Sequence, residues 1–333
     1  MTPSGVRPAA TTRAQLETAI YAAGQAPSIL NCQPWRFRVD GDTIDLFAVP
    51  ERSPRTLDPT GREVFISLGA ALLNLRLGIA ALGREPVVQL MPDPAVRIHA
   101  ARVRLGGPSE LSVLERPLYD AIALRRSSRQ PFSVDRVPAE VFVGLQDAAA
   151  SEGSWLDAAE GSHRAAVVTV LHEADSEQRS NPSVVQEVAR WTQDRPDAAV
   201  GIDPGSLGPR PRDPSAAVRD LGLGRSDPSR GSADFETNAM LAVLLTSGDG
   251  PVDWLRAGLG LERALLTATS KGLDVGLLSH GTEVVDLRPL IRDPGSRWRF
   301  PQLVLRLGYG AAPMPPSRRL PVADIVEFAI DLT

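Results

Sequence analysis

The stretch Ala26-Pro27-Ser28-Ile29-Leu30-Asn31-Cys32-Gln33-Pro34-Trp35 lies between a helix signal and a strand signal. Its two outer prolines, Pro27 and Pro34, bracket a set of polar side chains. Proline fixes φ and removes a backbone donor, so the loop has a stiff shape. Ser28, Asn31 and Gln33 then offer a hydroxyl and two amides from a rigid frame. Such a set suits a flat heterocycle and a polyol, which need donors and acceptors at fixed places. It equally suits a polar turn whose side chains cap their own backbone.

Upstream, Thr12 to Gly24 reads as a helix. Thr12 and Gln15 have capping-box spacing, and Leu16, Ile20 and Ala23 share one face. Downstream, Trp35 to Val39 and Thr43 to Phe47 alternate around Asp40-Gly41, which signals a hairpin. Thr60 to Leu82 follows as a long Ala/Leu-rich helix closed by Gly83. Gly69 and Gly78 inside it cost helix propensity, so they mark close packing against a neighbour. Val87 to Leu90 and Ile98 to Leu105 read as strands, and Gly106-Gly107-Pro108 reads as a joint.

Past that joint a second pass begins. A helix runs from about Arg116 to Leu124 and leads into Arg125-Arg126-Ser127-Ser128-Arg129. Three guanidinium groups and two hydroxyls at a helix end suit a phosphate dianion. They also suit a helix C-terminus, whose dipole solvated arginines complement. Pro138 to Ala150 and Ser162 to Glu177 read as helices. Pro196 to Ala233 is rich in Gly, Pro, Asp, Ser and Arg, and so long a loop in a folded chain suggests a lid or disorder. Ala239 to Thr246, Val275 to Ser279 and Leu303 to Gly308 read as buried strands, with a helix from Trp254 to Gly272. The mixture gives an α+β class, with α/β as the alternative.

Composition narrows the function. The 333 residues carry a net charge of −4, which gives no footprint for nucleic acid or an anionic membrane surface. No run approaches the ~20 apolar residues of a membrane span, and Met1 to Ala10 lacks a signal-peptide core. Cys32 is the single cysteine. It permits no disulfide framework, fits a reducing compartment, and reads as a buried small hydrophobe. A cytoplasmic protein with a small-molecule ligand is expected. His99, His163, His172 and His280 lack metal-ligand spacing; His280 alone could line a pocket beside the Val275–Ser279 strand. No Walker motif or dinucleotide fingerprint occurs.

Taken together, the two polar segments resemble those of the nitroreductase family, and within it the Acg-like branch. Ala26 to Trp35 looks like the family's signature for the flavin ring and ribityl chain. Arg125 to Arg129 looks like its phosphate signature. Asp58-Pro59, Gly61-Arg62-Glu63, Ser67, and Glu187 with Trp191 look like branch features. Leu30 and Cys32 depart from it, standing where the branch more often has His and Thr. Ordinary members pair two identical subunits, and each flavin takes the two signatures from different subunits. Here each half lacks the other's signature. Ala149 to Trp155 stands where a second ring signature would fall, and Thr11 to Leu16 where a second phosphate signature would fall.

The resemblance implies a nitroreductase-like α+β fold of two fused half-repeats, an intramolecular pseudo-dimer with one FMN in the seam. The expected halves are 1–107 and 108–333, with a lid at about 196–233, and the expected state is a monomer. Pro27, Ser28, Asn31, Gln33 and Pro34 would hold the ring and ribityl chain. Arg125, Arg126, Ser127, Arg129, Arg318 and Arg319 would hold the phosphate, and Leu277, Leu278 and Ser279 would lie beside the ring. The implied activity is hydride transfer through FMN, from NADH or NADPH, to a nitro, quinone or pathway substrate. No side-chain nucleophile is needed. The alternative is an FMN storage protein with a covered flavin.

Overall fold

The computed structural model describes residues 11–192, 199–223, 230–237, 239–296, 298–310 and 315–329. Parts of the expected lid, 196–198 and 224–229, lie outside the described residues.

The first helix, α1 (Arg13–Gly24), starts as its spacing predicts. Thr12 Oγ1 accepts from the Gln15 amide at 3.3 Å, and Gln15 Oε1 accepts from the Thr12 amide at 2.9 Å. Strands β1 (Trp35–Asp40) and β2 (Thr43–Ala48) pair antiparallel across Gly41-Asp42, with Gly41 at φ +55° where a side chain is disfavoured. Alternation along β1 buries Trp35, Phe37 and Val39. Helix α2 (Arg62–Ala81) is buried along nearly its whole length. Contrary to the sequence expectation, it is long and apolar enough to cross a membrane, and 83% of its most apolar window is buried. It is the central helix of the protein.

After α2 come β3 (Arg84–Leu90) and β4 (His99–Pro108). The expected joint at Gly106-Gly107-Pro108 is the end of β4, where Pro108 pairs with Arg84. Gly106 admits the Glu85 side chain, since a Cβ there would meet it at 3.0 Å. The chain continues through α3 (Arg116–Ala121), α4 (Ala139–Ala150), β5 (Trp155–Ala159), α5 (Gly161–Ser180) and α6 (Pro182–Trp191). Two short strands, β6 (Arg210–Pro211) and β7 (Ser232–Ala233), pair within the expected lid. Then follow β8 (Met240–Thr246), α7 (Pro251–Ser270), β9 (Asp274–Leu277), α8 (His280–Glu283), β10 (Phe300–Gly308) and β11 (Val326–Phe328).

Two sheets result. The first has the order β11-β1-β2-β4-β3, with β11 parallel to β1 and the other pairs antiparallel. The second has the order β5-β8-β10-β9 and is antiparallel throughout. Between them, α2 and α7 pack backbone against backbone. A Cβ on Gly69 would sit 2.1 Å from the Leu255 carbonyl oxygen and 2.9 Å from Gly258 Cα. A Cβ on Gly258 would sit 2.0 Å from the Ile66 carbonyl oxygen and 2.8 Å from Gly69 Cα. Each glycine is the eighth residue of a 20-residue helix, and each meets the residue three before the other. The contact is therefore reciprocal, as across a local two-fold axis. Gly78 is also tight, with its Cβ position 2.9 Å from Ala19 Cα.

Candidate functional site

A cavity of about 440 Å³ opens between the Ala26–Trp35 segment, the Arg125–Arg129 segment, the end of β9 and the loop that follows α6. In the first of these, Ile29–Asn31 forms a single 3₁₀ turn, and Leu30, Asn31 and Gln33 have φ of 46°, 54° and 48°. Three non-glycine residues in the left-handed region need a surrounding that fixes them. Ser28 Oγ accepts from the Gln33 amide at 3.0 Å, and the Ile29 amide donates to Ser67 Oγ of α2 at 3.2 Å.

Asn31 and Gln33 also hold the neighbouring segments in place. Asn31 Nδ2 donates to the Gly201 and Arg318 carbonyls at 2.8 and 3.1 Å, and its Oδ1 accepts from Arg319 at 2.7 Å. Gln33 Nε2 donates to the Ala199 carbonyl at 2.7 Å, and its Oε1 accepts from the Leu320 amide at 2.9 Å. Both amides clip the loop and the C-terminal segment onto this turn. Pro27, Ser28 and Asn31 line the cavity, whereas Gln33 and Pro34 do not.

The Arg125–Arg129 segment is fixed to the second sheet by the Ser128 amide, which donates to the Val275 carbonyl at 2.8 Å. Arg125 is buried, and donates to Ser127 Oγ at 3.4 Å and to the Gln25 carbonyl at 3.3 Å. Arg319 donates to the Gln25 and Ala26 carbonyls at 3.1 and 3.2 Å. Arg129 donates to the Ser206 carbonyl at 3.2 Å. Burial, with Arg125 beside it, pushes Arg319 down to about 9; burial, with Arg219 beside it, pushes Arg129 down to about 10. The buried Nε atoms of Arg125 and Arg319 have no hydrogen-bond partner among the described residues. Glu262 of α7 is the nearest carboxyl, with Oε1 3.6 Å from Arg125 Nε, too far for a hydrogen bond. Burial pushes Glu262 up to about 7, against the pull of Arg125. This end of the cavity thus gathers buried guanidinium groups with too little negative charge to balance them.

Arg126 folds back on the turn that follows α3, donating to the Ala123 and Arg125 carbonyls at 3.0 and 2.8 Å. It does not line the cavity. Arg318 lines the mouth, half-exposed, and pairs with Asp203 at 2.9 Å.

The end of β9 supplies a further stretch of wall, Leu277, Leu278 and Ser279, all lining the cavity. Leu278 is tied to β10 through its amide, 2.8 Å from the Val304 carbonyl. Gly276 runs close to the Arg125–Arg129 segment, and a Cβ there would meet the Ser128 carbonyl at 3.1 Å. The loop covers this end. Ile202, Leu207, Leu221 and Leu223 join Ile29, Leu30 and Cys32 in a small apolar cluster. Gly208, at φ +71°, passes so near Arg129 that a Cβ would lie 2.3 Å from its carbonyl oxygen. Arg219 reaches down to Glu283 of α8 with two bonds, at 2.6 and 2.8 Å, and also donates to Ser279 Oγ. Their side chains are only 9% and 1% exposed, so this is a buried latch.

Sequence reasoning named Glu63 only as a branch feature and missed Arg219 and Glu283; Glu63 and Arg219 line the cavity. An arginine among small residues in the loop was the available signal. Its partner stands 64 positions away and nothing local marks it. The histidines are structural: His99 bonds Asp45 at 2.9 Å and His163 bonds the Ile291 carbonyl at 2.8 Å. His280 is buried behind the wall, where burial and the nearby Arg219 hold it well below its usual range. No metal-binding group of His, Cys, Asp or Glu occurs among the described residues.

No family model matches the chain. A Mycobacterium tuberculosis H37Rv protein named "Putative NAD(P)H nitroreductase" is 31% identical over 326 residues, which span 95% of this chain and 92% of that one. A second protein of that strain, bearing the same name with the suffix acg, is 28% identical over 319 residues, 93% and 94% of the two chains. Among solved structures, a Desulfitobacterium hafniense nitroreductase with bound FMN covers 65% of this chain and 99% of its own, at 13% identity and a TM-score of 0.41.

Proposed function

The chain belongs to the nitroreductase family, in its Acg-like branch, and from that premise we propose that it holds one FMN and is an FMN-dependent oxidoreductase. The observation that carries this is the cluster of buried, under-compensated guanidinium groups at one end of the cavity. A buried cation without a counter-charge is costly, and a phosphate dianion removes that cost. Arg125, Ser127, Arg129 and Arg319 are the residues that would hold it. The unpartnered Nε atoms of Arg125 and Arg319 are donors waiting for an acceptor. Next to the Arg125–Arg129 segment, Gly276, Leu277 and Leu278 line the cavity with apolar groups, which suits a ring system. The donor set therefore fits FMN.

When bound, FMN would supply two-electron hydride chemistry between NADH or NADPH and a nitro, quinone or pathway acceptor. The protein's own share is placement. The strained Leu30–Gln33 turn fixes one wall, Asn31 and Gln33 brace the loop over it, and the loop excludes water. The two sheets and the reciprocal Gly69–Gly258 contact support two fused halves, 1–107 and 108–333, with β11 returning to the first sheet. In that reading the protein is a cytoplasmic monomer with one site. A specific observation also favours a second reading, FMN storage: the buried Arg219–Glu283 latch and the apolar cluster hold the loop shut.

Purified protein titrated with FMN should bind one equivalent. Mixed with NADH or NADPH without oxygen, the flavin band should bleach promptly. A band that persists, yet is bleached by dithionite, would favour storage. Unchanged FMN affinity in both Arg125→Ala and Arg129→Ala would refute the phosphate assignment.

A further inference from the structure

The ring-side wall carries a carboxyl group that placement of the cofactor does not use. Glu63, in the first turn of α2, is buried and lines the cavity. Asp203, the other acidic residue on the cavity wall, is half-exposed and already paired with Arg318.

Four charged groups bear on Glu63. Asp58 comes from the loop before α2, Glu283 from α8, Arg62 from α2 and Arg219 from the covering loop. Three carboxyls therefore face two guanidinium groups in a buried site. Arg129, beside Arg219, adds a further guanidinium to the neighbourhood. Burial still disfavours any carboxylate that is not hydrogen-bonded, and a proton can be shared by the set.

Hydrogen bonding decides where the proton resides. Glu283 accepts from both terminal nitrogens of Arg219, from Ser279 Oγ at 2.8 Å and from Gln178 Nε2 at 2.6 Å. Asp58 caps α2, taking the Val64 amide at 2.9 Å, and does not line the cavity. Glu63 accepts only at Oε1, from Arg62 at 2.8 Å. That guanidinium also serves Gln302 and Thr282. Oε2 of Glu63 accepts no bond from the described residues. Glu63 is the least compensated of the three, so its neutral form costs least. Burial and the Glu283 carboxylate push its titration well above the usual range, which agrees with this ordering.

We propose that Glu63 is the proton donor of the cavity, a neutral carboxylic acid that hydrogen-bonds the oxygen of a carbonyl, quinone or nitro acceptor and protonates it as it is reduced. The proposal rests on the oxidoreductase reading above. A quinone becomes a hydroquinone by gaining one hydride equivalent, two electrons with a proton, and one further proton. The hydride derives from NADH or NADPH, which is oxidised. The further proton comes from Glu63: its O–H bond breaks as an O–H bond forms on the acceptor. The carboxylate left behind is then re-protonated from solvent. An acceptor that lacks an oxygen lone pair at this end gains nothing from Glu63, so the residue also sets specificity.

Two measurements test this, one of them independent of any cofactor. Infrared spectra at neutral pH of the ¹³C-glutamate-labelled Glu262→Gln protein, which lacks the other glutamate that burial raises to about 7, should show a protonated carboxyl C=O stretch that adding Glu63→Gln removes. Persistence of that band in the double variant would overturn the proposal. Next, FMN-loaded protein is reduced in advance and mixed with menadione. The wild-type rate should fall as pH rises through the titration of the acid. Glu63→Gln should be slower by about 10²–10⁴-fold and flat with pH, and Glu63→Asp, which keeps an acid, should recover part of the rate and of the pH dependence. Equal rates in wild type and Glu63→Gln would remove the donor role and leave the oxidoreductase reading standing. A wild type that reduces no acceptor while the infrared band is present would refute the oxidoreductase reading, and the donor role with it.

Discussion

Replacing Arg219 by alanine removes both bonds to Glu283 and the one to Ser279. The pair is buried, and stripping one partner from a buried pair costs about 3–5 kcal/mol because the other charge is left uncompensated. Glu283 keeps its bonds from Ser279 and Gln178, and it can take up a proton, so the lower end applies. About 3 kcal/mol corresponds to roughly a hundredfold shift of the loop toward its open state. Ile202 and Leu207 retain their apolar anchorage, so the opening should be confined to the neighbourhood of residue 219. Amide hydrogen exchange on the cofactor-free protein reads this directly. Protection at residues 215–222 should fall by roughly two orders of magnitude, while that at 201–207 should change little. The rate of flavin reduction by NADH or NADPH should rise in the same variant if the loop limits access. Unchanged protection at 215–222 would show that the Arg219–Glu283 pair does not hold the loop, and the latch would have to be abandoned.

Other expectations follow from the same geometry. Arg125→Ala and Arg129→Ala should each weaken FMN binding by about 1.5–3 kcal/mol, the net value of a charge-assisted hydrogen bond, read by fluorescence titration. Gly258→Ala should destabilise the fold by about 1–3 kcal/mol despite its better helix propensity. The new Cβ would lie 2.0 Å from a backbone oxygen that no side-chain rotation can move; a urea midpoint at or above wild type would contradict this. Glu262 titrates near 7 when folded against an ordinary 4.5, so the folded state holds the proton more tightly. Its contribution is therefore complete below pH 4.5 and is lost as pH rises through about 7. Glu262→Gln should accordingly gain roughly 3 kcal/mol over wild type in the cofactor-free protein above pH 7, and little at pH 4; denaturation at both pH values checks this.

Much of the frame could be read locally. Thr12 with Gln15 fixed the start of α1, and the alternation from Trp35 fixed the first hairpin. Gly69 and Gly78 interrupted an otherwise ideal helical composition, and both mark backbone contacts. Wherever a segment's role depends on a distant one, the local reading fell short. The amides of Gln33 and Asn31 bond Ala199, Gly201, Arg318 and Leu320, partners far along the chain that no local pattern names. Arg126 shares a motif with Arg125 but is taken up by the Ala123 and Arg125 carbonyls of its own turn. Gly106-Gly107 resembles a linker in composition, and only its pairing with β3 makes it a strand. Strand β11 is three residues long, too short for a periodic signal.

That last strand sets a constraint on how the protein is made. Its residues 326–328 complete the edge of a sheet whose neighbouring strand was synthesised near position 37. At about 5–20 residues per second, β1 waits roughly 15–60 s on the ribosome before its outer partner exists. Throughout that time an apolar strand edge is open to other chains. The sheet that holds β1 cannot be completed until residues 326–328 have emerged, so termination between β1 and β11 releases a fragment with an unpaired edge.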